Sequence, residues 1–151
     1  MNPVLEMMKG DKCRVVEIKT EDGLALLRFR TPVLGGTEVP GYPWMLAAVW
    51  AYAEPDTGAL PSPEAMEEME RFENRICEAF ETDAHAVLVA VLTYDGARQW
   101  VFYTSDVDEC GARLCGMPQE AEPYPIELEA REDPKWLYLR EEILAQVDFE
   151  P

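Results

Sequence analysis

The 151-residue chain reads as an α+β protein: a ferredoxin-like βαββαβ unit over about residues 44–131, with an added N-terminal β-hairpin and a C-terminal helix, folded as a two-layer α/β sandwich. Three observations predict this. An apolar stripe at helical spacing follows Pro61 and is flanked by short apolar runs of strand length. The Asp95-Gly96 pair, a turn signal, joins two such runs. A second, shorter helical segment leads into residues 124–131, where apolar and acidic side chains alternate. No repeat, low-complexity tract or linker divides the chain, so residues 1–151 are expected to form a single domain. That length buries roughly 70% of the surface an unfolded chain exposes.

In chain order, residues 12–20 and 24–30 are β-branched or apolar stretches, joined by the hairpin signal Glu21-Asp22-Gly23. Residues 31–43 hold three prolines and three glycines and read as a loop. Residues 44–53 contain Ala, Leu and Met, which suit a helix. Their shortness, aromatics and breaker-rich flanks favour a buried strand instead. The next helix opens with Ser62 as N-cap and Pro63 at the first helical position, where its missing N–H does no harm. Ala65, Met69, Phe72, Ile76 and Phe80 form its apolar stripe. Much of the rest is Glu, at spacings of three or four that repel, so packing of the stripe has to hold the helix.

Residues 86–92 are apolar at every position, as in a strand buried on both faces. A ferredoxin-like sheet would leave that strand at an edge, so the N-terminal hairpin is predicted to pair beside it. Residues 98–104 follow as a strand. Asp106-x-x-Glu109 is a helix-start pattern for residues 107–115, and Asp133-Pro134 caps a helix over about residues 135–144.

The charge is the unusual property: 30 acids against 13 bases, net −17. Phosphate contacts need surplus Lys and Arg, so direct nucleic-acid binding is not expected, and neither is docking to anionic lipid. The acidity is localised. Residues 54–83 carry a net −8 and residues 105–151 a net −9, while residues 1–53 and 84–104 each balance to zero. The longest apolar run, residues 44–53, is far short of the about 20 residues that cross a bilayer. Residues 1–10 lack a signal-peptide apolar core, and four cysteines on such a chain fit reduced thiols, so a cytoplasmic location is expected.

Tyr42-Pro-Trp44, Gly58-Ala-Leu-Pro61, Thr93-Tyr-Asp-Gly96, Trp100-Val-Phe-Tyr-Thr104, Pro125-Ile-Glu127 and Glu132-Asp-Pro-Lys-Trp136 occur in this order. Together they resemble the bacterial family catalogued as domain of unknown function 695, over about residues 12–145. The resemblance implies a ferredoxin-like α/β domain and supplies no activity and no catalytic residues. The family is also similar in architecture to bacterial regulators of ribonuclease E activity, small acidic proteins that act by protein contact. That is an analogy at the level of the fold.

The chain carries few motifs of catalytic or metal-binding chemistry. His85 is the one histidine, with no Gly-x-Ser-x-Gly or glycine-framed cysteine to accompany it. Cys110 and Cys115 stand about 140° apart around a helix, so they do not face one ion together. Asp106, Asp108 and Glu109 lack the rest of a calcium loop and read as capping residues. No glycine-rich phosphate loop leads into a helix. No cofactor or metal is therefore expected.

Two functional readings remain. The leading one is a non-enzymatic interaction or regulatory domain whose acidic helix face, with Glu67, Glu68, Glu70 and Glu73, meets a basic protein, as a nuclease inhibitor or immunity protein does. It would act as a monomer or, through exposed sheet edges, a homodimer. The alternative is a small-molecule binder or enzyme using an aromatic-lined sheet pocket, with Trp50, Tyr52, Trp100 and Tyr103 as the patch.

Overall fold

The structure, a computed structural model, describes residues 4, 12–20, 23–31, 39, 41–52, 62–81, 83, 85–94, 96–116 and 126–143. In chain order it contains β1 (Lys12–Thr20), β2 (Gly23–Thr31), β3 (Trp44–Ala51), α1 (Pro63–Glu81), β4 (Ala86–Tyr94), β5 (Ala97–Thr104), α2 (Val107–Gly116), β6 (Ile126–Glu132) and α3 (Tyr138–Ile143). Strand and helix ends up to β6 fall within two residues of the sequence reading. Glu21, Asp22, Asp95, most of the 31–43 loop, residues 124–125 and Leu144 lie outside the described residues.

The strands form a six-stranded sheet in the order β1-β2-β4-β5-β3-β6, each neighbouring pair antiparallel. Residues 26–29 of β2 pair with residues 90–93 of β4, so the hairpin does make β4 internal. The order of the whole six-stranded sheet is nevertheless not that of a ferredoxin-like sheet, because the expected hairpin adds two strands beyond β4. Gly96, at φ 82°, supplies the left-handed backbone that turns β4 into β5.

The two-layer expectation is also corrected, because both faces of the sheet are covered. Strand alternation explains it, since apolar residues occupy both parities. Leu46, Ala48, Trp100 and Phe102 face α1, whose Met69, Phe72, Ile76 and Phe80 are buried against them together with Cys110 of α2. Met45, Ala47, Val101 and Tyr103 point to the opposite face, where Tyr42, Trp136, Leu139 and Ile143 close over them. Each fully buried large side chain in α1 stabilises the fold by about 1.5–3 kcal/mol, which offsets the repulsion among its glutamates.

A bulge interrupts β4. Leu88 partners Phe102 and Ala90 partners Val101, so Val89 is the extra residue. Val87 and Val89 then share a face with Ala90, while Leu88 and Val91 pack towards α1.

The C-terminal helix differs from the one expected over residues 135–144. Trp136 has φ 55°, an uncommon backbone for a bulky side chain, and interrupts the helix before a π-helical turn begins at Tyr138. Packing holds it there. Its ring stacks on Tyr103 with centroids 4.3 Å apart, and its Nε1 donates to the Tyr42 carbonyl at 3.0 Å. Asp133 organises the same turn, accepting from the Leu137 N–H, the Tyr138 N–H and the Tyr103 hydroxyl at 2.9, 2.9 and 2.6 Å. Pro134 thus follows a capping Asp133, as expected, but the capped element is the π turn.

Candidate functional site

α1 sets the geometry, because its buried stripe fixes where every other side chain points. Its N-cap forms as read: Ser62 Oγ accepts the Ala65 N–H at 3.1 Å. At about 100° per residue, Glu67 points away from the sheet, Glu68 lies on one flank and Glu70 on the other. All three are exposed, and among the described residues none has an ion-pair partner.

Glu73 is placed differently from those three. Its side chain is 18% exposed and turns under α1, where its Oε1 pairs with Arg28 and accepts the Trp100 Nε1–H at 2.9 Å. The four carboxylates therefore do not form one cluster. Glu73 holds helix to sheet, and Glu67, Glu68 and Glu70 spread around the outer half of the helix.

Nor do the four aromatics form one patch. Trp50 and Trp100 lie under α1, with ring centroids 6.4 Å apart and Phe72 packed edge-on to both. Tyr103 belongs to the opposite face, beneath Trp136. Trp100 and Tyr103 stand three positions apart on one strand, an odd offset that puts them on opposite sides of the sheet. Tyr52 is half-buried at the end of β3, beside the α1 cluster. These rings are core.

The hairpin supplies residues that the sequence reading passed over. Strand register lines up Glu17, Leu26, Thr93, Arg98 and Trp50 in one row on the α1 side, with Val15, Arg28, Val91, Trp100 and Ala48 in the next. α1 covers the Trp50 and Trp100 ends of these rows and leaves the hairpin ends open: Val15 is 68% exposed and Met66, on the facing side of α1, 43%. Between them runs a groove of about 530 Å³ floored by Leu26 and Val91. Past the Arg28–Glu73 pair, a second hollow of about 340 Å³ reaches Cys13, Cys77 and Glu81.

Arg98 lies at the sheet end of the larger groove. Its Nε donates to Thr93 Oγ1 at 2.8 Å, and among the described residues its terminal nitrogens have no hydrogen-bond or ion-pair partner. Desolvation by burial lowers its pKa and Arg28 adds a like-charge contribution, which Glu73 opposes. The available signal was the alternation of Arg28 and Arg30 with Leu27 and Phe29. It puts two cations on the face opposite the apolar side chains, towards an acidic helix.

The nucleophile candidates hold structural posts. Burial, with Glu81 and Glu73 nearby, pushes the Cys77 thiol up to about 12. Burial also raises the Cys110 thiol, whose Sγ contacts Thr104 Oγ1 at 3.2 Å. The His85 ring, half-buried, places Nε2 3.1 Å from the Asp106 carbonyl. Asp106 caps α2 through Oδ1, which accepts the Asp108 and Glu109 N–H groups. Asp83 forms a two-pronged pair with Arg113 at 2.7 and 2.8 Å, which lowers the carboxyl pKa. Among the described residues, no group of three or more His, Cys, Asp or Glu is placed to hold a metal ion, and no helix is long and apolar enough to cross a membrane.

The model of the family of unknown function DUF695 matches residues 13–141, most of the chain. The chain belongs to this family. Within the DUF695 match lie the whole six-stranded sheet except Lys12, both helices that cover the α1 face, and the groove with Arg28, Arg98 and Glu73. No curated protein matches the chain, and no solved structure does.

Proposed function

We propose that this DUF695 domain is a non-catalytic, cytoplasmic interaction protein that captures a basic protein partner on the outer face of α1. One observation supports the reading above the others: Glu67, Glu68 and Glu70 are exposed and lack ion-pair partners among the described residues, in a chain of net charge −17. Unpaired carboxylates on a rigid helix steer association with a positive surface, and they mimic phosphates where the partner is a nuclease. The order β4-β5-β3-β6, with α1 and α2 on one face, supports reading residues 44–132 as a ferredoxin-like core to which the hairpin has been added.

The test is capture from host lysate at low and high salt, with the wild-type chain and with a Glu67→Gln, Glu68→Gln, Glu70→Gln triple variant. A basic protein retained by the wild type at low salt and lost by the variant is the expected result. Equal retention by both chains removes the α1 face from the interaction. Glu73 stays out of the variant because its loss would disturb the fold.

A further inference from the structure

We propose that the groove between α1 and the β1–β2 hairpin binds an organic monocarboxylate, with the carboxylate on Arg98 and an apolar body along Leu26, Val91, Val15 and Met66. This inference does not rest on the basic-partner reading; its groove meets the outer face of α1 only at Glu70.

The charge arithmetic of the groove selects the ligand. Arg28 and Glu73 compensate each other directly. Arg98 is left as a cation with one donor engaged by Thr93 and with terminal nitrogens that have no partner among the described residues. A guanidinium fork matches a carboxylate through two parallel N–H···O bonds. The lining's two cations and two carboxylates balance overall, but Glu73 is engaged by Arg28 and Glu70 stands at the rim, so the fork of Arg98 is open to one carboxylate. A phosphate dianion would bring a second negative charge into a protein of net −17, past Glu70 at the helix-side rim.

The rest of the groove describes the body of the ligand. Its lining includes an aliphatic strip of Leu26, Val91, Val15 and Met66, the last two exposed, beside polar walls that carry Glu70, Asn74 and Thr93. Its volume of about 530 Å³ lies within the range of small-molecule sites, roughly 300–1,000 Å³. Burial lowers the pKa of Arg98, so an anion beside it would relieve the cost of keeping its charge there.

Two sources present this chemistry: a free aliphatic or aryl acid, and the C-terminal carboxylate of a peptide. The experiment titrates the full chain with 4-phenylbutyrate and with an acetylated tripeptide ending in leucine, as free acid and as amide. Binding is followed by ¹H–¹⁵N NMR, including the Arg98 Nε–H. The expected result is saturable shifts at Arg98 and Thr93 with at least one of the two acids. Response to phenylbutyrate identifies the free acid as the source. Response to the peptide acid and not its amide identifies a chain terminus.

Arg98→Met should weaken binding by about tenfold or more, and Arg98→Lys by less. Val15→Asp, at an exposed position that leaves the core untouched, should also weaken it and decides the matter if the Arg98 variants do not fold. The proposal is overturned by the absence of saturable shifts at millimolar concentrations of both acids, by a peptide response equal for acid and amide without any response to phenylbutyrate, or by unchanged affinity in Val15→Asp and the folded Arg98 variants.

Discussion

Glu81, the last residue of α1, stands where β2 no longer pairs with β4, on the side of Leu88 away from its β5 partner Phe102. The β2–β4 ladder ends at Phe29 and Ala90. Next to that end, Glu81 Oε2 accepts the Leu88 N–H at 2.7 Å and an Arg30 Nη1–H at 3.0 Å, and the same Arg30 nitrogen donates to the Leu88 carbonyl at 3.2 Å. Both backbone groups of Leu88 are thereby bonded by side chains. A helix end, a strand and a bulge are tied at one point.

Removing the clasp therefore costs stability. Glu81→Ala removes the acceptor of the Leu88 N–H and the carboxylate paired with Arg30, and should destabilise the fold by about 1–3 kcal/mol. Glu81→Gln keeps an acceptor and should lose less. Urea unfolding measures both; an Ala variant as stable as wild type would mean that water replaces the carboxylate at no cost.

Position on α1 separates two kinds of glutamate. Glu67→Gln, Glu68→Gln and Glu70→Gln should each change stability by no more than about 0.5 kcal/mol, since each side chain is exposed and has no ion-pair partner among the described residues. Glu73→Gln leaves Arg28 uncompensated and should cost about 1–3 kcal/mol. It should also perturb tryptophan fluorescence, through the indole of Trp100. A stability loss at Glu67 equal to that at Glu73 would contradict this placement.

The thiols should divide into two pairs. Cys13 and Cys115 are exposed, whereas Cys110 is buried and Cys77 half-buried. With its pKa pushed from 9.0 to about 12, Cys77 at pH 8 is thiolate in only about one molecule in 10⁴, and thiolate is the reactive form. Labelling at pH 8 under native conditions should modify Cys13 and Cys115 quickly, and Cys77 and Cys110 only on unfolding. Peptide mapping after a short pulse checks this; early labelling of Cys77 would show that the hollow beside α1 opens in solution.

Tyr103 predicts an alkaline limit. Burial raises its pKa, and the hydrogen bond to Asp133 and that carboxylate's charge raise it further. A phenol whose pKa is higher in the folded state than in the unfolded chain contributes stability that is fully present below about pH 10 and declines as pH rises above it. Wild type should lose stability above that pH more steeply than Tyr103→Phe. At neutral pH the variant should be less stable by about 1–3 kcal/mol, through the lost Asp133 bond. Parallel pH profiles for the two proteins would place the alkaline transition elsewhere.

Local chemistry carried most of the fold. The Ser62 and Asp106 caps, the α1 stripe and the position of the hairpin beside β4 all follow from patterns within one or two elements. What escaped depended on distant partners. Trp136 adopts a left-handed backbone because Tyr103 and Tyr42, far away in sequence, hold its ring, and nothing within residues 133–144 announces it. Glu73 looks like its neighbours on paper, and only the register of β2 against β4 brings Arg28 to it. The aromatic patch failed for a simpler reason, since the odd spacing of Trp100 and Tyr103 was visible in the sequence and already assigned them to opposite faces.

Val89 gives β4 the equivalent of a frameshift. Up to Leu88, even-numbered side chains look towards α1; from Ala90 onward the odd-numbered ones do, as Val91 and Thr93 show. A relative lacking one residue here would be read in a single phase along the whole strand. Either Ala86 and Leu88 or Val91 and Thr93 would then be delivered to the wrong side. Such a chain would have to exchange its inner and outer alphabets on one half of β4, and Arg30 and Glu81 would lose the backbone they now punctuate.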